Sequence, residues 1–416
     1  MTVAVRCLAF LLITCSLLQS EEPAKVFDVI SPETVDLDKN RLSEIGDYLH
    51  AEVNAGRIAG CLALVARGDQ VAFLGTWGDR NREKSLKMTP DTIFRIYSMS
   101  KPITSVAAMQ LIEAGKMKLD DPVSKYLLSF QKLKVHSKAD GQLQEIPLDQ
   151  PMTIRDLLRH TSGLTYGFFG NTEVDKAYRK AGLLITEGTI TESVEKLSSI
   201  PLLYQPGKRW HYSVSTDVLG RLIEVVSGQR FDQYLQEHIF DPLEMRDTAF
   251  MVPREKRERF AILYQPDAQN GLKPASFIQS YRFLNPHNQF FSGGGGLCST
   301  THDYLRFCQA LLNGGELDGK RILTTESLAQ MTKNQLSGNG FQFGLGFAIG
   351  PEGEFSWGGA AGTRFWINPR RKLIVIYMIQ INPYTVIDYG NRVKQLVYAA
   401  DRSGTASVEA ATAPMP

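Results

Sequence analysis

The strand-forming segments of this 416-residue chain lie at its two ends, and that separation restricts the fold more than any single motif. Residues 61–66 and 71–74 are short apolar runs separated by Arg67-Gly68-Asp69-Gln70, the pattern of an antiparallel hairpin around a glycine turn. Residues 92–96 add a third short strand. Far along the chain, residues 363–367 and 373–379 flank Asn368-Pro369-Arg370-Arg371 and form a second hairpin. Between the two hairpins the apolar period is helical, at 154–158, 214–226 and 231–239, with long loops rich in glycine, proline and asparagine. A sheet supplied by both ends must close over the chain between them. The expectation is therefore an α/β (α+β) fold: an antiparallel sheet flanked by terminal helices, with a mainly helical lobe inserted. The α/β lobe takes about residues 38–97 and 340–403, and the helical lobe about 98–339, within one domain of 25–403. The first terminal helix, 38–56, places Leu42, Ile45, Leu49 and Val53 on one face, and the last covers 393–398.

Composition excludes several classes of function. Apolar residues make up 43% and charged residues 22%, and 46 basic against 44 acidic residues leave a net charge of +2. With no basic block or stripe, neither nucleic acid nor an anionic membrane is an expected partner. Residues 1–20 carry Arg6, an apolar run and an abrupt polar end, the order of a secretory signal peptide. The run is too short to span a bilayer, so stable membrane insertion of the mature chain is not expected. Export to a periplasm or the medium follows if this segment is cleaved, and a cytoplasmic location if it is not. Beyond residue 403 the chain turns small and polar, and a disordered tail is expected. Outside the leader, Cys61, Cys298 and Cys308 show neither a disulfide framework nor metal-ligand spacing, and the histidines show no H-E-x-x-H. No metal or cofactor is implied, and the composition leaves the oligomeric state open.

The strongest chemical signal is Ser98-Met99-Ser100-Lys101, which follows a strand-like segment and opens a long amphipathic helix ending at Gly115. If the helix begins at Ser98, residues i and i+3 share a face and the lysine amine reaches the serine hydroxyl. A hydroxyl is a poor nucleophile until a base takes its proton, and a lysine serves only in its neutral form, which burial favours. Two further stretches suit the same chemistry. Trp210-His211-Tyr212-Ser213-Val214 precedes a helix, and Tyr212 can shuttle the proton. Trp357-Gly358-Gly359-Ala360 lies beside the C-terminal hairpin, where paired glycines let a substrate lie against a strand edge. There the Ala360 N–H can complete an oxyanion hole with the N–H of Ser98. The run Gly293 to Gly296 is not a phosphate loop, since no lysine-serine/threonine follows it. A backbone passing close to another element explains it better. Thr300 is expected to cap the next helix, with Asp303 as the acid of a capping box. His160 and His211 are read as structural or pocket-lining residues. No G-x-S-x-G marks an α/β-hydrolase nucleophile elbow.

Taken together, FRIYSMSKPITS, MTIRDLLRHTSGL, HYSVSTDVLGRLIEVVSGQ, GGGGLCSTTHDYLRF and WGGAAGTRFWINP resemble the serine β-lactamase-like (β-lactamase/DD-peptidase) hydrolases, especially the class C-like family VIII carboxylesterases. The likeness covers about residues 40–380 in the family's order. It implies Ser98 as the acylated nucleophile, Lys101 and Tyr212 as its base machinery, and Ala360 N–H as the second oxyanion donor. Two departures bear on substrate. The Y-x-N of class C enzymes has Val214 at its third position here, and K-T-G reads Trp357-Gly358-Gly359, so an anionic carboxylate meets an indole instead of an ammonium. Both changes make the pocket more apolar and point to a carboxylesterase acting on small uncharged esters. Residual β-lactam hydrolysis is compatible with the likeness, and β-lactamase or DD-peptidase activity, acyl transfer, or a non-catalytic penicillin-binding-like scaffold are the rival readings.

Overall fold

The computed structural model describes residues 27–403 apart from residues 140–141, 184–187, 269–270, 277, 339 and 384–387. The expected leader, 1–20, and tail, 404–416, lie outside the described residues. Strand β1 (Gly60–Arg67) and β2 (Gln70–Asn81) form the first hairpin, closed by the pair Arg67↔Gln70, and β3 (Leu86–Lys87) extends it. The C-terminal part supplies β4 (Ala348–Ile349), β5 (Phe355–Gly358), β6 (Arg364–Asn368) and β7 (Leu373–Ile379). Their order is β4-β5-β6-β7-β1-β2-β3, and each neighbouring pair is antiparallel. The two ends of the chain thus meet at the centre of the sheet, where β1 lies against β7 with Leu64 opposite Ile376.

Strands β1 and β7 are apolar at nearly every position because both faces of the sheet are covered. Cys61, Ala63, Val65, Val375 and Tyr377 face helices α1 (Lys39–Asn54) and α6 (Tyr389–Ala400). The alternate residues Leu62, Leu64, Ile374 and Ile376 join the large core of the helical lobe. Each fully buried leucine or isoleucine in such a position contributes about 1.5–3 kcal/mol. Asp38 caps α1 by accepting from the N–H groups of Asn40 and Arg41, which stops the helix where the sequence period stops.

Helix α2 (Ser100–Glu113) runs through the helical lobe with almost every side chain buried, and α3 (Ser215–Ser227) packs along it. Helix α4 (Ile278–Leu284) lies over the entry to α2. A short ladder between Ile93–Arg95 and Cys298–Thr300 brings the glycine run 293–296 to the N-terminus of α2. The ladder is extended by Ile96 N–H to Leu297 O at 3.1 Å and Leu297 N–H to Ser100 Oγ at 3.1 Å. Thr300 caps α5 (Thr301–Leu312) as expected, accepting from Asp303 N–H. Asp303, however, does not reach back as a capping-box acid. Its carboxylate accepts from Asp247 N–H and Thr248 Oγ1, because this end of the helix is buried against residues 247–248.

The chain's last described turn is held by ions. The Asp401 carboxylate accepts Arg67 at 2.6 Å and Arg371 at 2.9 Å, and Arg371 also clasps Glu352 at 2.7 Å. These contacts tie together the end of β1, the β6–β7 turn and the residue after α6. Burial alone would raise the Asp401 carboxyl, but hydrogen bonds from Ser403, Arg67 and Arg371 hold it at about 2. The Arg371 guanidinium and the Asn368 amide hold Glu352 near the same value. A carboxyl depressed in the folded state stabilises above its unfolded pKa of about 4 and loses that contribution as pH falls through the folded value. Melting temperature should therefore drop steeply between pH 4 and pH 2, on the stated pKa values. Asp401→Asn should cost about 2–4 kcal/mol at neutral pH and progressively less in acid. A wild-type-to-variant gap that stays constant across that range would exclude the clamp as the acid-sensitive element.

Candidate active site

Ser98 lies outside the long helix. The expectation that α2 begins at Ser98 is corrected by two residues: Tyr97–Met99 form a single 3-10 turn and α2 starts at Ser100. Tyr97, whose φ of 41° is left-handed, bars any helix from extending before Ser98, and Ser98 and Met99 take the tighter 3-10 geometry ahead of α2. Such a conformation costs a bulky residue about 1–3 kcal/mol, and the surroundings must hold it. The Tyr97 ring is pinned edge-on against buried Phe283 at 5.8 Å, and the carbonyl of Met99 is fixed by Tyr304 Oη at 3.0 Å.

Lys101, one turn further on, is 1% exposed. Its Nζ donates to Ser98 Oγ at 3.3 Å, Tyr166 Oη at 2.7 Å and Gly294 O at 2.6 Å. These partners are a hydroxyl, a phenol and a carbonyl, with no carboxylate. Tyr212 is placed differently from a simple hydrogen-bonded shuttle: Lys101 Nζ sits 4.7 Å above its ring, and the Tyr212 hydroxyl is buried without a hydrogen-bond partner among the described residues. Burial pushes the Tyr166 phenol well above its ordinary value, and the adjoining Tyr212 and Asp217 push it further. Tyr166 is therefore a protonated phenol at neutral pH. Sequence reasoning missed it. It follows Arg159-His160-Thr161-Ser162-Gly163-Leu164 in a loop, and no spacing announces that it meets Lys101.

The glycine run supplies the Gly294 carbonyl and is itself aimed by Asp217 on α3. Asp217 Oδ1 accepts from Ser292 Oγ at 2.5 Å and from Gly294 N–H at 3.1 Å. A side chain is crowded out at the first two glycines: a Cβ on Gly293 would stand 2.5 Å from Thr216 O, and one on Gly294 would stand 2.7 Å from Asp217 Oδ2. This is the close backbone passage that the sequence suggested.

The Trp357-Gly358-Gly359-Ala360 stretch ends β5 against the serine turn. A Cβ on Gly359 would lie 2.3 Å from the Ile96 carbonyl oxygen and 2.3 Å from Thr363 Oγ1, so only glycine brings the strand end this near. Gly359 N–H is used by Thr363 O at 2.7 Å and Gly362 N–H by Gly359 O at 2.9 Å, while Ala360 N–H belongs to neither bond. Gly358 pairs with Arg364 at the last register position of β5. Trp357 is buried, its indole 5.4 Å from the Tyr212 ring and 5.2 Å from Phe343, with Nε1 lacking a partner among the described residues. Val214 is buried in the same core as Trp357, its N–H tied to Thr165 O at 3.4 Å. His160 packs 4.9 Å from the Tyr212 ring, and burial drives its imidazole well below the ordinary value, so it is neutral. His211 turns to Thr165 Oγ1 at 3.1 Å. Neither histidine hydrogen-bonds Ser98.

Around these groups runs a continuous aromatic band. Phe168 and Phe169 stand 60% and 55% exposed, Phe168 stacked on Tyr166 at 5.1 Å and Phe169 edge-on to it at 5.9 Å, while Phe341, 40% exposed, leans on Trp210 at 4.8 Å. Trp210 in turn stacks on Tyr212 at 6.3 Å.

The chain as a whole has counterparts among known proteins. Residues 45–399 match the Beta-lactamase family model. The chain belongs to the beta-lactamase family. It is 33% identical over 362 residues to an uncharacterized protein of Mycobacterium tuberculosis, covering 80% of this chain and 89% of that one. It is 29% identical over 355 residues to the Esterase EstB of Burkholderia gladioli, covering 77% and 86%. Among solved structures, EstCE1, described as a hydrolase with promiscuous acyltransferase activity, superposes with a TM-score of 0.74. That match has 26% identity and spans 86% of this chain and 99% of EstCE1. The fold is thus that of the beta-lactamase family, with the antiparallel sheet and helical lobe that the sequence led us to expect.

In this beta-lactamase-family site the Gly359 approach has a measurable consequence. Gly359→Ala should destabilise the protein by about 2 kcal/mol or more, since neither the Ile96 carbonyl nor the Thr363 hydroxyl can retreat freely. Gly340→Ala, where a Cβ meets nothing within 4 Å, is the control. Equal denaturation midpoints for the two variants would contradict the packing described for the strand end.

Proposed function

We propose that the protein is a serine carboxylesterase that forms an acyl-enzyme on Ser98. The observation that carries this reading is the buried Lys101 amine, 3.3 Å from Ser98 Oγ and otherwise engaged only by Tyr166 and the Gly294 carbonyl. In its neutral form the amine can spend two protons on Tyr166 and Gly294 and turn its lone pair to the serine hydroxyl. Tyr212, whose ring lies 4.7 Å from the same amine and whose buried hydroxyl is unpaired among the described residues, completes the proton path. As Ser98 Oγ bonds to the ester carbonyl carbon, its proton passes to the Lys101–Tyr212 pair. The oxyanion is held by the N–H groups of Ser98 and Ala360. Collapse breaks the bond to the alcohol, which leaves with the transferred proton. Water then attacks the acyl-enzyme by the same route and releases the acid.

The aromatic band favours apolar groups on the substrate, and Trp357 at the strand edge offers no ammonium to a β-lactam carboxylate. The band also favours a second reading, transfer of the acyl group to an apolar alcohol in place of water, since Phe168, Phe169 and Phe341 can hold such an acceptor beside Tyr212.

A fluorophosphonate should label the wild type and leave Ser98→Ala unlabelled. Lys101→Ala and Tyr212→Phe should each lose at least about a hundredfold in acylation rate, as expected of positioned proton transfer. Tyr166→Phe should lose less than about tenfold, because its phenol stays protonated throughout. A large loss at Tyr166 with near-normal turnover at Tyr212 would exchange their roles. Turnover of a chromogenic cephalosporin faster than of short p-nitrophenyl esters would overturn the esterase preference.

A further inference from the structure

At the glycine run, helix α4 presents a cation that the mechanism does not use. Arg282 donates from Nη2 to Gly295 O at 2.9 Å. Gly295 is next to the residue whose carbonyl holds Lys101, and a Cβ on it would lie 3.6 Å from the Tyr97 backbone. The guanidinium therefore stands one residue away from both the nucleophile turn and the lysine anchor. It is half-buried, it lies 4.8 Å over the Phe283 ring, and it has no carboxylate partner among the described residues. Its Nε and Nη1 make no hydrogen bond there either, which leaves one edge of the planar fork open.

The placement is firm. Phe283 is buried under Tyr97, Val252 N–H bonds to Phe283 O at 2.8 Å, and the buried Arg95 reaches Ser280 Oγ at 2.7 Å. Arg95 also lacks a carboxylate: its other Nη hydrogen bonds go to the Ala261 carbonyl and the Gln380 amide. Two positive charges without counterions thus flank the Tyr97 side of the cleft. Burial pushes the Tyr97 phenol up and both guanidiniums pull it back, so their field reaches the serine turn. A half-buried guanidinium with an open edge is an incomplete ion pair, and an arriving anion completes it at little cost in reorganisation.

We infer that Arg282 recognises a carboxylate, and that the esters turned over at Ser98 carry an anionic group a few atoms from the scissile carbonyl. This rests on the esterase reading and deepens it: the substrate has an apolar body for the aromatic band and a negative end for α4. It also revises the expectation of uncharged esters. The cation missing from the strand edge at Trp357 is replaced by one on α4.

The test compares 4-nitrophenyl hexanoate with the 4-nitrophenyl half-ester of adipic acid, which sets a carboxylate where the first has a methyl group, with spontaneous hydrolysis subtracted. The ratio of kcat/KM, adipate over hexanoate, should fall at least about tenfold in Arg282→Gln and recover in part in Arg282→Lys. A ratio equal in all three proteins would overturn the assignment, because loss of the Gly295 contact alone would slow both esters alike. Should the glutamine variant fail to fold, the wild type decides. Sodium chloride should raise KM for the adipate and leave that for the hexanoate unmoved, whereas KM values that move together would sink the proposal. Hexanoate turnover that vanishes in Ser98→Ala tests the nucleophile separately, so failure at Arg282 cannot be mistaken for failure at Ser98.

Discussion

The site depends on a buried amine that has no carboxylate among its hydrogen-bond partners in the described residues. Lys101 could have been satisfied by an acid, and a buried acid would have fixed it as an ammonium and ended its use as a base. Instead the chain offers Gly294 O, Tyr166 Oη and the serine itself. Delivering a backbone carbonyl to the side of a packed helix is the difficult part. It requires glycines that let the turn before Cys298 pass between α2 and α3, and Asp217, whose carboxylate grips Ser292 and Gly294 N–H and turns the opposite carbonyl inward. The ladder of Ile93–Arg95 on Cys298–Thr300 fixes the same passage from its other end. Much of the helical lobe's irregular backbone is thereby explained by one hydrogen bond.

The sheet serves the same end from the other side. Because β1 and β7 are buried on both faces, the strands stand rigidly between terminal helices and helical lobe, and β5 is carried at a fixed distance from α2. Gly359 then closes that distance to contact with Ile96. The left-handed Tyr97 turns Ser98 out of the helix at that point, so the serine's backbone faces the strand end instead of its own helix. A serine beyond the first turn of α2 would have had its N–H taken by an intrahelical bond.

The parts of this arrangement visible in the sequence are those encoded by period or by residue type at fixed spacing. The hairpins at the two ends, the helix after Ser98, the Ser98–Lys101 step and the use of glycine at 293–296 and 358–359 are of that kind. The helix start was legible only to within a turn, because nothing in Ile96-Tyr97-Ser98 shows that a tyrosine adopts a positive φ; the Phe283 ring that braces it arrives from almost two hundred residues away. Tyr166, Asp217 and Arg282 were not legible for the same reason. Each acts through a partner brought to it by the fold, and each sits in a stretch whose local pattern is that of an ordinary loop or helix. Asp303 shows the converse error: a spacing suited to a capping box was claimed by residues 247–248 once the helix end was buried.

The two walls of the cleft differ in a way that the chemistry can use. On the strand side an indole replaces a cation, and the phenols, Trp210 and the three exposed phenylalanines extend that apolar wall to solvent. Exposing three phenylalanines in one place is unfavourable unless something apolar covers them during turnover, so the band is most simply a platform for a substrate group. On the α4 side stands a carbonyl-clipped guanidinium with no carboxylate partner among the described residues. On the proposed reading, an ester at Ser98 has its orientation fixed by which end is charged. The apolar wall alone could not tell the acyl group from the alcohol, since dispersion and burial are non-directional. The guanidinium can.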